Sequence, residues 1–248
     1  KIFDSYGPGR ETLTAMDRHV IANMGQEMGA TASVFPADEH VRSFLRQQGR
    51  EDDFVELRAE EGAEYDHREQ LDLSKLEPMI ACPSSPGKVV TVREVAGKPI
   101  YQSYIGSSAN PGLRDFVIPA KMVEGRSIPE EISLDINPTS RQLLEAISHS
   151  GDLNLLLQAG ARLHQTGCNG CIGMGQAPAS GRISLRTVPR NFPGRSGTKE
   201  DQVYLCSPET ATASALAGVI TDPRDMDMDY PSFVEPEQLQ DMRPLMLA

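Results

Sequence analysis

The sequence predicts an α/β protein built of three-layer α/β/α domains with a mixed or mostly parallel sheet. Hydrophobic spacing switches repeatedly between the helical and the extended period along the 248 residues. Strands and helices alternate from about residue 99 to residue 220, and no internal repeat is found. Hydrophobic residues make up 39% and charged residues 24% of the chain, which is typical of a soluble globular protein with a packed core.

Residues 1–66 are predicted to form a partial first α/β domain. Apolar residues at helical spacing predict a helix over Thr14–Met28. Val34–Asp38 reads as a short strand leading into a second helix over Glu39–Gln48, with Asp38 as its N-cap. The acidic stretch Gly62–Gln70 is the expected boundary with the part that follows.

Residues 67–221 are predicted to form a second α/β domain. The expected strands are Glu77–Cys82, Val89–Val92, Pro99–Ile105, Ile132–Ile136, Ile183–Val188 and Val203–Cys206. The expected helices are Leu113–Val123, Ser140–Ser148, Asp152–Ala159 and Pro208–Val219. Periodicity is lost in residues 222–248, whose Asp, Met, Pro and Glu content predicts an acidic linker or an extended strap.

The charge of the chain excludes some classes of partner. A formal net charge of −11 argues against nucleic-acid binding, which requires a basic footprint. No apolar run approaches the roughly 18 residues of a membrane span, so no membrane partner is expected. Arginines between Arg182 and Arg195 form one basic island that would have to capture an anionic ligand. The chain begins at Lys1 without a Met, which suggests a fragment or a processed product.

Four cysteines are too few and too unevenly spaced for a secreted disulfide framework. Cys168 and Cys171 form a CxxC pair, which indicates metal or redox chemistry in a reducing compartment, and the expected location is the cytoplasm. Taken alone, the pair is consistent with a redox dithiol, half of a zinc site or an iron–sulfur site. Arg190 and Arg195 follow closely, and guanidinium groups bind carboxylates in a bidentate manner. The combination predicts a metal centre facing a polycarboxylate.

Several motifs, in order along the chain, resemble the aconitase superfamily, which includes aconitate hydratases and isopropylmalate isomerase large subunits. They are Asn23–Thr31 (NMGQEMGAT), Leu71–Ser74 (LDLS) with Leu76–Pro78 (LEP), Gly167–Gly173 (GCNGCIG), Arg190–Arg195 (RNFPGR) and Ser207–Thr210 (SPET). The resemblance spans roughly residues 7–223 and implies aconitase-type domains. It also implies a central fragment that lacks the N-terminal part and the C-terminal swivelling domain of such enzymes.

The resemblance implies a 4Fe-4S cluster held by three cysteines. Cys168 and Cys171 match two of these ligands, but the expected third position is occupied by Ser108. Ser108 could bind through its oxygen, Cys82 or Cys206 could supply the missing sulfur, or the cluster could be labile or absent. The resemblance thus assigns Cys168, Cys171 and Ser108 to the metal.

The resemblance also implies roles for other side chains. Arg190 and Arg195 match the arginines that bind substrate carboxylates. Asn23 and Glu27, four residues apart on a predicted helix and therefore on one face, would approach the cluster, as would Asn110. The family's Asn before the first arginine is replaced by Pro189, which lacks an amide side chain and a backbone donor.

The expected activity is that of a hydro-lyase isomerising citrate and isocitrate through cis-aconitate, as in the tricarboxylic acid cycle. The isolated chain is expected to be inactive, and no catalytic residue is assigned within it. An isopropylmalate, homoaconitate or methylcitrate dehydratase subunit is the alternative, and a non-catalytic binding module is a further one. The expected partners are a small di- or tricarboxylate and either missing segments of the same enzyme or a small subunit.

Overall fold

The computed structural model describes residues 1–236, which form two compact units. The N-terminal unit contains Lys1–Glu77 and the C-terminal unit contains Pro78–Glu235. The division therefore falls later than residue 66, and residues 222–235 belong to the C-terminal unit. Residues 237–248 of the predicted tail lie outside the described residues. In residues 1–236, no helix has both the length and the apolar content needed to cross a bilayer.

The N-terminal unit contains β1 (Ile2–Asp4), α1 (Ala15–Asn23), β2 (Ala32–Val34) and α2 (Glu39–Gln47), and the two strands pair in parallel. The predicted helix Thr14–Met28 is divided, because a 3-10 turn over Met24–Met28 follows α1. Thr14 caps α1 in a capping box with Asp17. Asp38 caps α2 as expected, its carboxylate accepting a hydrogen bond from the backbone N–H of His40.

The C-terminal unit contains seven strands and five helices among its described residues. The strands are β3 (Met79–Ala81), β4 (Val89–Thr91), β5 (Gln102–Gly106), β6 (Ser133–Asn137), β7 (Arg162–Leu163), β8 (Ile183–Arg186) and β9 (Gln202–Leu205). The helices are α3 (Val92–Val95), α4 (Arg114–Val123), α5 (Arg141–His149), α6 (Asp152–Gln158) and α7 (Pro208–Ala217). The sequence did not predict β1, β7 or α3.

The seven strands form one mostly parallel sheet in the order β4-β3-β9-β8-β5-β6-β7. β9, β8, β5, β6 and β7 run parallel to one another, whereas β3 pairs antiparallel with both β4 and β9. The predicted α/β class with a mixed or mostly parallel sheet is confirmed.

The two faces of this sheet differ in polarity because side chains alternate along each strand. On one face, Ile105, Ile136 and Leu185 join the main core with residues of the helices α4–α7. Ser103 lies on that face too, and its hydroxyl donates to the carbonyl of Ala211 in α7. The opposite face carries Tyr104, which packs against the irregular segment between β7 and β8. An irregular segment, rather than a helix, therefore covers the centre of this second face.

The described tail residues 222–235, here named the strap, include side chains that pack against the C-terminal unit. Met226, Met228 and Phe233 pack against Ile118, Met122 and Ala213 of α4 and α7. Lys121 donates to the backbone carbonyl of Ser232 at 2.6 Å, which fixes the strap at a second point. Burial of these apolar side chains explains why the segment is held against the unit rather than solvated.

Candidate functional site

The order of the strands places a topological switch point between β5 and β8, and the region at the carboxyl ends of these two strands is called the crevice below. The chain runs from β5 to β6 and β7 on one side and then returns to β8 and β9 on the other. Connections leave the carboxyl ends of β5 and β8 in opposite directions, and such a switch point is where open α/β sheets bind ligands. Ser107–Asn110 follow β5, and Thr187–Arg190 follow β8.

The cysteine loop, residues 165–176, connects β7 to this crevice. Cys171 lies in a 3-10 turn and is 4% exposed, whereas Cys168 is exposed, and both are free thiols. The Sγ of Cys168 lies 3.8 Å from the Oγ of Ser108 in the loop after β5. The structure therefore brings together the three residues assigned to the metal in the sequence.

The loop after β5 is held by hydrogen bonds to the residue that follows β8 and to α4. The hydroxyl of Ser107, which has a φ of 75°, donates to the carbonyl of Thr187 at 3.1 Å. The amide of Asn110 donates to the carboxyl of Asp115 at 3.3 Å, and burial raises the pKa of Asp115 to about 6. Asn110 thus fastens the loop that carries Ser108 to the start of α4.

The arginine loop, residues 189–197, packs against the cysteine loop. The Nη2 of Arg195 donates to the Sγ of Cys171 at 3.4 Å, and the hydroxyl of Ser196 donates to the carbonyl of Cys171 at 3.0 Å. The amide of Asn191 fixes the loop by donating to the carbonyls of Cys82 and Val203. The Nε of Arg195 is buried and has no hydrogen-bond partner within residues 1–236. One guanidinium group therefore contacts a thiol and keeps one buried donor without a partner among residues 1–236.

Arg190 occupies the start of the same loop and is half-buried. It follows Pro189, which is buried and is separated from the end of β8 by Thr187 and Val188. Both predicted carboxylate-binding arginines thus belong to one loop beside the cysteines. The guanidinium group of an arginine can bind a carboxylate through two parallel hydrogen bonds.

The two thiols differ in acidity. A hydrogen bond from Cys171 lowers the pKa of Cys168 to about 5, with Ser108 and the charge of Arg195 acting in the same direction. The pKa of Cys171 is raised, first by its hydrogen bond to Cys168 and then by burial. Cys168 is therefore the first of the pair to become a thiolate, the form that binds metals.

The possible metal ligands at the crevice differ from the three cysteines that the resemblance implies for a 4Fe-4S cluster. Two sulfur donors and one hydroxyl meet at the crevice, one thiol fewer than the three that the resemblance implies. Among residues 1–236, no third His, Cys, Asp or Glu joins Cys168 and Cys171 in a metal-binding group. Cys82 and Cys206 instead pack against the main core, and burial raises the pKa of Cys206. The structure thus does not support the alternative in which either supplies the missing sulfur.

Asn23 and Glu27 lie in the N-terminal unit. Asn23 is the last residue of α1, and Glu27 lies in the following 3-10 turn. The shared face expected from α-helical spacing does not hold, because a 3-10 turn has about three residues per turn. Their approach to a cluster remains a prediction.

The N-terminal unit also holds a cavity of about 450 Å³ that the sequence did not predict. Its lining includes Arg10, Arg58, Arg68 and the stacked rings of Tyr6 and Tyr65. It contains neither Asn23 nor Glu27, and we assign it no function.

Most of the chain matches one known protein family. Residues 1–218 match the Aconitase family (aconitate hydratase). The chain belongs to the aconitase family. The crevice between β5 and β8 thus carries the cysteine motif and the arginine motif that suggested this family.

Similar proteins are large subunits of hydro-lyases. The chain is 37% identical over 226 residues to 3-isopropylmalate dehydratase large subunit 2 of Archaeoglobus fulgidus, covering 91% of this chain and 54% of that protein. It is 40% identical over 215 residues to 3-isopropylmalate dehydratase large subunit 1 of Methanopyrus kandleri, covering 86% and 51%. It is 35% identical over 225 residues to a probable methanogen homoaconitase large subunit of Methanosarcina mazei, covering 90% and 56%. The chain spans about half the length of the relatives it matches.

Proposed function

We propose that this chain is part of the large subunit of an aconitase-family hydro-lyase acting on a small hydroxy-dicarboxylate of the isopropylmalate type. The observation that carries the proposal is the meeting of Cys168, Cys171, Ser108 and Arg195 at the carboxyl ends of β5 and β8. Metal donors and an anion-binding guanidinium group occupy one place. A homoaconitate-type substrate is the closest variant, because one similar protein is named a homoaconitase large subunit.

The names of the relatives favour the alternative over the citrate and isocitrate reaction expected from the sequence. Two of the three relatives are named 3-isopropylmalate dehydratase large subunits, and the third is named a probable homoaconitase large subunit. Nothing in those names supports a place in the tricarboxylic acid cycle. Because they are named large subunits, we include a small subunit as the partner that completes the enzyme.

In this proposal, Cys168 and Cys171 hold a 4Fe-4S cluster as thiolates, and Ser108 provides the third donor. When bound, such a cluster supplies a Lewis acid for the hydroxyl that leaves as water. Arg195 keeps a positive charge beside the sulfur of Cys171, which favours the thiolate form. Its unpaired Nε and Arg190 hold the carboxylates, and the proton that is removed requires a base outside the assigned residues.

Iron analysis of the 248-residue chain tests this proposal. After anaerobic reconstitution with iron and sulfide, we expect bound iron and sulfide together with visible absorption. Cys168→Ala and Cys171→Ala should abolish both signals, whereas Cys82→Ala and Cys206→Ala, which alter thiols outside the crevice, should retain them. Wild-type protein that binds no iron would contradict the proposal.

Substrate class is tested separately by isothermal titration with 2-isopropylmalate, homoaconitate and citrate. We expect measurable heat with the first two in the iron-loaded chain and weaker binding of citrate. Tightest binding of citrate would restore the aconitate-hydratase interpretation. Addition of a matching small subunit should then give turnover of the tightest ligand.

A further inference from the structure

Arg186 is a fully buried cation at the end of β8. It is 0% exposed and lies on the second face of the sheet, beneath the cysteine loop. The ring of Tyr104, on the neighbouring strand β5, lies 5.2 Å from the guanidinium carbon. A fully buried arginine is rare, so its contacts require an explanation.

A polar belt leads from Arg186 across the neighbouring strands. Its Nη2 donates to the side-chain oxygen of Gln102 in β5 at 2.9 Å. The Nε2 of Gln102 donates to the carboxylate of Asp135 in β6 at 2.9 Å. The other oxygen of Asp135 lies 2.7 Å from the Nε2 of His164, which follows β7. Three adjacent strands and the residue after a fourth thus contribute to one hydrogen-bonded belt that fixes the guanidinium plane.

The Nε of Arg186 donates to the hydroxyl of Ser184 at 3.0 Å, and two further hydrogen bonds of Arg186 hold the cysteine loop. Its Nη1 donates to the carbonyl of Gly170 at 2.7 Å, and its Nη2 also donates to the carbonyl of Gln176. These two carbonyls lie on either side of Cys171 along the chain. The loop is therefore fastened to the sheet by one side chain, immediately before Cys171 and five residues after it.

Gly170 is seated so closely that any larger residue would force its neighbours to shift. A Cβ at this position would lie 2.3 Å from the ring of Tyr104. The backbone N–H of Gly170 donates to the side-chain oxygen of Asn137 at 3.4 Å, and that oxygen also accepts from the hydroxyl of Tyr104 at 2.9 Å. The loop backbone thus rests on the side chains of β5 and β6 as well as on Arg186.

A contribution to stability does not by itself explain why a charged arginine is buried at position 186. Burying a guanidinium group carries a large desolvation penalty, and well-packed apolar residues often replace buried charges without loss of stability. Apolar side chains, however, could not bind the two loop carbonyls. What the arginine adds is a defined position for the backbone around Cys171.

We propose that Arg186 is a positioning residue that holds the cysteine loop in its ligand-binding shape before any metal arrives. The inference rests on the proposed function in one respect, the assignment of Cys168 and Cys171 as metal ligands. Pre-organised ligands lose less conformational freedom on binding, so the arrangement favours metal capture. Gln102, Asp135 and His164 act through Arg186 by fixing its orientation.

Alkylation of the metal-free, reduced chain tests this inference. The rates at which iodoacetamide modifies Cys171 and Cys82 are measured by peptide mass spectrometry, with the half-buried Cys82 as an internal reference. In Arg186→Met we expect Cys171 to react at least tenfold faster relative to Cys82, and in Arg186→Lys an intermediate increase. Arg182→Met is the matched control, because Arg182 is exposed and stacks on Tyr101, and its ratio should equal that of wild type.

Two outcomes would overturn the inference: an unchanged ratio in the Arg186 variants, or equal increases at Cys171 and Cys82, which indicate general loosening. If Arg186→Met does not fold, Arg186→Lys and Gly170→Ala carry the test, since the added methyl group displaces the same carbonyl from the loop side. No iron is present in these measurements. They can therefore succeed or fail independently of the iron analysis that tests the proposed function.

Discussion

The guanidinium group of Arg195 lies 3.4 Å from the sulfur of Cys171, although the two residues are 24 positions apart in the chain. This contact joins the arginine loop to the cysteine loop and places a cation next to a thiol that we propose as a metal ligand. Ser196, the next residue, bonds to the carbonyl of Cys171, so the two loops meet at both backbone and side chain. An anion bound by Arg195 would therefore lie close to any metal held by Cys171.

Substitution of Arg195 by Lys should weaken binding of a dicarboxylate. Lysine keeps the positive charge but loses the planar fork that contacts Cys171 while retaining a donor for a carboxylate. We expect the dissociation constant of 2-isopropylmalate for the iron-loaded chain to rise about tenfold, equivalent to about 1.4 kcal/mol. Isothermal titration measures the change, and Arg182→Lys at an exposed position is the control. An unchanged constant in Arg195→Lys would remove Arg195 from the binding site.

Substitution of Ser108 by Cys should make the metal centre more stable. Ser108 lies 3.8 Å from the Cys168 sulfur, and a thiolate is a better ligand for iron than a serine oxygen. We expect Ser108→Cys to retain its iron and visible absorption longer than wild type in air or with a chelator. Ser108→Ala should lose both faster. Equal lifetimes for all three proteins would show that position 108 does not bind the metal.

Gly173 controls the contact between the two loops. It has a φ of 80°, and a Cβ there would lie 1.8 Å from the carbonyl oxygen of Ser196. Gly173→Ala should therefore push the arginine loop away from Cys171. Gly175→Ala is a matched control, because Gly175 has a similar φ of 77° but a Cβ there would lie 3.9 Å from its nearest neighbouring atom, in His164. Both variants bear the backbone strain of a left-handed residue, about 1 kcal/mol.

Iron retention and the midpoint of thermal unfolding are measured for Gly173→Ala and Gly175→Ala. We expect both to fall in Gly173→Ala well beyond their decrease in Gly175→Ala. If the two alanine variants behave alike, backbone strain alone accounts for the decrease in both. The clash with Ser196 would then be relieved without moving the arginine loop.

Much of the fold could be predicted because its signals are local. Asp38, Ser140 and Ser207 cap helices where the sequence indicated helix starts, and the alternating strands β6 and β8 lie within or near their predicted ranges. The α3 turn could not be predicted, because its two buried valines continue the apolar pattern of the preceding strand. β1 and β7 are too short for a periodic signal.

The candidate site was predicted in part. Cys168, Cys171, Arg190 and Arg195 were found by motif, since close spacing in sequence brought them into two loops. Arg186 was missed, because a single arginine in a strand gives no indication that its side chain turns inward. Only the pairing of β5, β6 and β8 places Gln102 and Asp135 beside it. Such long-range contacts depend on strand order, which the sequence pattern does not specify.

Asp222 links the strap to the C-terminal unit, and its ionisation should contribute to stability. Its buried carboxylate accepts from the Nε of Arg93 at 3.0 Å and from the backbone and side chain of Arg224. Hydrogen bonds from Arg224, with that from Arg93, lower the pKa of Asp222 to about 2. Because the unfolded state has the higher pKa, it takes up the proton first as the pH falls. The stabilisation is therefore present above about pH 4 and lost as the pH approaches 2.

We expect Asp222→Asn to lower the free energy of unfolding near pH 7 by about 2 kcal/mol, and the difference from wild type to shrink steadily below about pH 4. Urea unfolding across this range measures the difference. Asp225→Asn is the matched control, because Asp225 also pairs with Arg93, at 2.7 Å, but is 55% exposed, and an exposed pair contributes little. A difference that stays constant from neutral to acid pH would show that the charge of Asp222 is not the stabilising feature. A loss as large in Asp225→Asn would assign the effect to Arg93 rather than to the buried carboxylate.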